Sequence, residues 1–139
     1  MSASLPGINS LRFAGYAALF DIPDADRDVL RKGAFAKTLA AKASPMPLLW
    51  QHRASQPLGE IEYVAEDTRG LRVIARINRP VSRAARLLNE KAVSGLSFGY
   101  RALSSRTVGD MRELLEVDLF EVSLVIHPLH PLARVHLID

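Results

Sequence analysis

The sequence predicts an α+β fold: a compact, mainly antiparallel, barrel-like sheet with about two helices packed on it. Three observations predict it. Apolar residues recur at every second position in several segments, only two segments carry helical spacing, and proline, glycine and acidic turns separate the runs.

Residues 1–10 read as a flexible arm and 11–139 as a single domain. "LRFAGYAALF" alternates, with Leu11, Phe13, Ala17 and Leu19 on one face, and is expected to be a strand. "DIPDADRDVLRKG" is polar and turn-rich and reads as a connection. "GAFAKTLAAKA" sets Phe35 and Leu39 four residues apart among alanines, which predicts a helix of about three turns. The prolines of "SPMP" end it, and "PLLWQH" follows as a short strand with a polar edge.

"PLGEIEYVAED" and "LRVIARIN", joined by "TRG", predict a hairpin with Leu71, Val73, Ala75 and Ile77 in the core. "RPVSRAARLLNEKAVSG" has a proline near its start, a glycine at its end, and apolar Val81, Ala84, Ala85, Leu88 and Ala92. It reads as an amphipathic helix. Beyond it, "GD" marks a turn between two extended runs, and "LARVHLID" closes the chain as a last strand. No internal repeat or low-complexity segment interrupts the series.

Composition narrows the classes of function. Cysteine is absent, which excludes disulfide frameworks and thiolate metal sites. The N-terminus lacks the basic and apolar regions of a signal peptide, and no apolar run approaches the roughly 20 residues that span a bilayer. A cytoplasmic protein with no membrane partner is expected. The net charge of +3 is spread along the chain rather than gathered in a basic run, so no nucleic-acid partner is expected.

Several residues stand out chemically. In "AVSGLSFGYR", strand geometry puts Gly95, Ser97, Gly99 and Arg101 on one face, with Leu96, Phe98 and Tyr100 on the other. Ser97 is either a small residue in a tight seam or a hydroxyl with space kept around it. A serine nucleophile needs a base, and the chain has four histidines: His52, His127, His130 and His136. His52 ends an apolar run beside Trp50, as a surface residue or as a held base. His127 and His130 lie in "HPLHP", which offers no third metal ligand, and no metal or other cofactor is expected.

Glu121 is the strongest anomaly, a lone carboxylate in the apolar run "LFEVSLVI". Such a group needs a partner. An arginine (Arg72, Arg76 or Arg101) would serve, and so would a histidine that it orients. Residue pattern alone does not single out His52, Ser97 and Glu121 as a set.

At these residues the chain resembles the HK97-type phage prohead protease family, which is related to herpesvirus assemblin. The resemblance runs in order over about residues 11–136, through "GYAALFDIPDADRDVLRKGAF", "PLLWQH", "RGLRVIARI", "RAARLLNEKAVSGLSFGY" and "EVDLFEVSLVIHPLHPLARV". It implies an assemblin-like fold and a serine endopeptidase. The family's histidine, serine and acid fall on His52 as general base, Ser97 as nucleophile and Glu121 as the group that orients the histidine. Gly95 and Gly99 would clear room for a substrate backbone. Assemblin uses a second histidine as third member, which keeps His127 and His136 as competitors for the role of Glu121.

The implied substrate is the scaffold, or the N-terminal scaffolding segment of the major capsid protein, cut inside assembling proheads in the bacterial cytoplasm. Self-association and self-cleavage there are part of the implication, in a phage or a gene transfer agent. The rival reading keeps the fold as a non-catalytic assembly factor that binds coat protein. Two departures are visible: Arg53 stands where an acidic residue often follows the histidine, and "HPLHP" replaces a more usual Asn-Pro ending.

Overall fold

The computed structural model describes residues 10–41, 45–79 and 82–139. Eight strands and two helices follow in the order β1 (Leu11–Leu19), β2 (Asp28–Leu30), α1 (Ala36–Ala41), β3 (Pro47–Trp50), β4 (Arg53–Glu66), β5 (Gly70–Ile77), α2 (Arg83–Asn89), β6 (Gly95–Val108), β7 (Met111–Val125) and β8 (Val135–Ile138). They make one mixed sheet with the path β2-β7-β3-β4-β5-β1-β8, and β6 adds to β7. Five pairings are antiparallel and two are parallel. The ladders leave the path open. Single bridges, Gly95 to Arg134 and Phe20 to Leu30, draw its ends together. The α+β expectation therefore holds, and the sheet curls as a barrel does.

The fifteen residues of β7 organise everything else. One edge pairs with β6 along its whole length. The other edge takes β2 at Arg112–Leu114 and β3 at Val122–Leu124, both parallel. Between those two short strands the backbone of β7 would be left without partners, which is costly for buried N–H groups. The segment around α1 fills the gap. The Val117 N–H donates to the Ala34 carbonyl, and the Leu119 N–H donates to Thr38 Oγ1 at 3.0 Å. The core forms where these layers meet, with Leu48, Leu71, Val73, Leu96, Leu119, Val122 and Leu124 wholly buried. Phe35 packs edge-on against Phe98 at 5.4 Å, and Phe98 stacks on Tyr100 at 4.8 Å.

The expected strands are present, with adjustments. β1 buries Ala14, Tyr16 and Ala18 as well as the predicted face, because it lies between β5 and β8. β2 forms inside the segment read as a connection; only Val29 and Leu30 in it are buried, and its parallel pairing with β7 makes it a strand. β8 is shorter than expected. α2 is also short: Ser82 caps its start by accepting from the Ala85 N–H, and Lys91 turns left-handed at φ 61° just past its end. The start of the N-terminal arm (residues 1–9), residues 42–43 of the first predicted helix and Pro80–Val81 of the second lie outside the described residues. Among the described residues, no helix is long and apolar enough to cross a membrane.

One buried carboxylate ties β7 to β6 and to the residue that follows β2. Glu113 accepts from Arg31 Nε at 2.6 Å and from Arg106 Nε at 2.8 Å. The Arg31 and then the Arg106 hydrogen bonds hold its pKa below the ordinary 4.5. A depressed carboxylate pKa stabilises the fold above the unfolded value, and that contribution is lost as pH falls through the folded value. In urea titrations, wild type is therefore expected to exceed Glu113→Gln in stability at neutral pH. The difference should shrink in acid and vanish once pH has fallen through the depressed folded-state value. A difference that persists there would exclude ionisation of Glu113 as its source.

Candidate active site

The parallel register of β3 on β7 sets Leu48 beside Val122, Leu49 beside Ser123 and Trp50 beside Leu124. At the end of β3 the chain reverses through Gln51 and His52, both left-handed, at φ 54° and 61°. For residues with a Cβ this conformation costs about 1 kcal/mol each. Three hydrogen bonds to β7 and its end hold the turn. The Gln51 N–H donates to the Leu124 carbonyl at 3.0 Å, the Ile126 N–H to Gln51 Oε1 at 2.8 Å, and the His52 N–H to Ser123 Oγ at 3.0 Å. The imidazole is thereby delivered over the β6–β7 ladder.

On that ladder Ser97 lies opposite Ser123, and Gly99 lies opposite Glu121. His52 bridges the two strands. Its Nδ1 is 2.7 Å from Glu121 Oε2, and its Nε2 is 3.0 Å from Ser97 Oγ. A carboxylate only accepts, so the Nδ1 proton is the one that it binds. In the neutral ring Nε2 then carries the lone pair that faces the serine hydroxyl. That tautomer can take a proton from Ser97. The second carboxylate oxygen, Oε1, accepts from the Ser123 hydroxyl at 2.8 Å. The Glu121 side chain is only 11% exposed while that of His52 is 42% exposed, so the acid is enclosed and the base faces solvent.

An open cleft of about 300 Å³ lies over the serine, lined by Gln51, His52, Ser97, Val125, His127 and Leu129. Ser97 and Leu129 also border a smaller hollow of about 40 Å³, whose walls include Leu30, Leu96, Phe98 and Leu114.

The other candidate residues sort differently. Arg76 pairs with Glu60 and Glu62, and Arg101 faces Asp118, so the partners of Glu121 are His52 and Ser123. His127 lines the cleft, and His136 packs edge-on against Tyr16. His130 is buried, accepts the Leu132 N–H on Nδ1, and has its pKa pushed below the ordinary 6.5 by burial. Among the described residues, no group of three or more His, Asp or Glu side chains is placed to hold a metal ion.

The two glycines have a reason within the fold. A Cβ at Gly99 would stand 2.5 Å from Glu121 Oε2, and one at Gly95 would stand 2.7 Å from the Val125 carbonyl and 2.8 Å from Pro128. At both positions a side chain would collide with the chain itself. Residue pattern missed Gln51 and Ser123. The signal for Ser123 was present: it is the second polar residue of an apolar run, two positions from Glu121 and so on the same strand face.

A hydroxyl, an imidazole and a carboxylate hydrogen-bonded in series form the arrangement on which serine hydrolases work. The chain belongs to the caudovirus prohead serine protease family, whose model matches residues 3–139. It is 33% identical over 92 residues to the prohead protease of Enterobacteria phage HK97, a match covering 63% of this chain and 41% of that protein. The chain thus spans about two fifths of the length of this curated relative.

Solved structures share the fold at low identity. The KSHV protease bound to a hexapeptide phosphonate inhibitor aligns with TM-score 0.67 and 15% identity, over 94% of this chain and 65% of that one. The capsid assembly protease of bacteriophage T4 aligns with TM-score 0.65 and 16% identity, over 84% and 82%. The varicella-zoster virus protease aligns with TM-score 0.58 and 18% identity, over 94% and 64%.

Proposed function

We propose that this chain is a capsid maturation protease, a serine endopeptidase that cuts the scaffold or the N-terminal scaffolding segment of a major capsid protein. The observation that carries the reading is the bridge made by His52, with Glu121 on one ring nitrogen and Ser97 on the other. Ser97 Oγ attacks the scissile carbonyl carbon while His52 Nε2 takes its proton. Collapse of the tetrahedral adduct breaks the C–N bond, and His52 returns that proton to the leaving amine. Water, deprotonated by the same nitrogen, then hydrolyses the acyl-serine and restores the hydroxyl. Glu121 holds the ring and stabilises its charged form throughout.

The open cleft lined by Gln51, His52, Ser97, Val125, His127 and Leu129 gives an extended peptide room beside the nucleophile. Family membership supports the prohead as the site of action; the proposed setting is a phage or a gene transfer agent, where several copies would gather. A non-catalytic assembly factor would have no use for a base turned toward a serine.

Treated with a fluorophosphonate, the folded protein is expected to gain the mass of one phosphonyl group, mapped by peptide analysis to Ser97. An unmodified Ser97, or modification elsewhere alone, would sink the reading.

A further inference from the structure

We propose that Ser123 is a positioning residue for the reaction, fixing the base and the acid against each other through one buried hydroxyl. The inference rests on the protease reading above. Ser123 has no exposed surface. Its oxygen accepts the His52 N–H at 3.0 Å and its proton goes to Glu121 Oε1 at 2.8 Å. A hydroxyl has one donor and two acceptor sites, so both contacts form at once. The first bond anchors the main chain of a left-handed residue. The second pins one carboxylate oxygen while His52 Nδ1 holds the other.

With both oxygens held by different donors, the carboxylate cannot rotate without breaking a bond. Ser123 also lies directly across the ladder from Ser97, so nucleophile, base and acid are all referred to one short piece of β7. Without the hydroxyl, Glu121 is free to turn and the His52 N–H loses its partner. The imidazole then drifts from the line between Ser97 and Glu121. A misplacement of this kind lowers the chemical step rather than substrate binding.

The test measures the rate of fluorophosphonate labelling of Ser97 in the intact chain, with thermal melting as a check on folding. Ser123→Ala is expected to slow labelling about 10- to 100-fold. Ser123→Thr, which keeps the hydroxyl, is expected to restore most of the rate. In a Glu121→Ala background the same Ser123→Ala change is expected to cause a clearly smaller further loss, because only the His52 N–H contact then remains to be removed. Ser123→Cys keeps the volume with a weak donor and replaces the alanine variant should that one not fold.

A Ser123→Ala rate equal to wild type would overturn the proposal, and so would an equal loss with and without Glu121. Absence of labelling in wild type would instead overturn the protease reading itself.

Discussion

With Ser97 replaced by alanine, the cognate coat protein co-expressed with this chain is expected to keep its full intact mass, where the unmodified chain shortens it at the N-terminus. The substitution removes one oxygen from a buried residue. The strand, its pairing with β7 and the His52–Glu121 contact all survive it. Folding should be nearly unchanged, so the loss reports on chemistry. A triad acts as a unit, and loss of its nucleophile costs on the order of 10⁶ in kcat. For the same reason His52→Ala combined with Ser97→Ala should be no worse than either alone. Coat protein shortened equally by both chains would remove Ser97 from the reaction. Full-length coat protein with both, in assembled shells, would favour the assembly factor.

The second large effect is expected at a residue with no functional group. Gly99 lies directly opposite Glu121 in the ladder, and a Cβ there would stand 2.5 Å from Oε2, 2.8 Å from Cδ and 3.0 Å from Cγ of that side chain. The backbone of Glu121 is held by its pairing, so the side chain that bonds His52 must give way by several tenths of an ångström. Gly99→Ala should therefore lower activity about 100-fold or more and cost about 1–3 kcal/mol of stability through overpacking.

Gly95→Ala is the informative contrast. Its added methyl meets the Val125 carbonyl and Pro128 instead of the carboxylate, so stability should fall while the His52–Glu121 distance is spared. Labelling rates and melting curves for the two variants separate the cases. A Gly99→Ala enzyme with the wild-type rate would show that the Glu121 contact is dispensable.

Glu121 was legible because a charge in an apolar run demands a partner, and the partner proved to be a histidine rather than one of the arginines. The alternating strands β1, β5 and β6 were legible for the same elementary reason: one face of each is apolar. β2 was not, since three residues carry no period and only the neighbouring β7 makes them a strand. The left-handed turn at Gln51–His52 was also hidden, because it contains no glycine to announce it. Nor could periodicity reveal that β3 runs parallel to β7, the one pairing that carries the histidine to the serine. The glycines were visible as anomalies. Their role was not, because it depends on what stands across the ladder.

The parallel docking of β3 on β7 also fixes when His52 can reach Ser97. His52 is 45 residues from Ser97 and 69 from Glu121 in the sequence. The strand before His52 pairs with β4 along one edge, but its other edge has no partner until β7 has been made. On the proposed mechanism, a growing chain therefore emerges from the ribosome with Ser97 and His52 apart, and it stays inert until its final third is synthesised. A slip of one residue in the β6–β7 register would turn Glu121 to the other face of the sheet. On the proposed mechanism, catalytic competence would be a proofreading signal for folding: a copy able to cut would be one whose β6–β7 hairpin is in register.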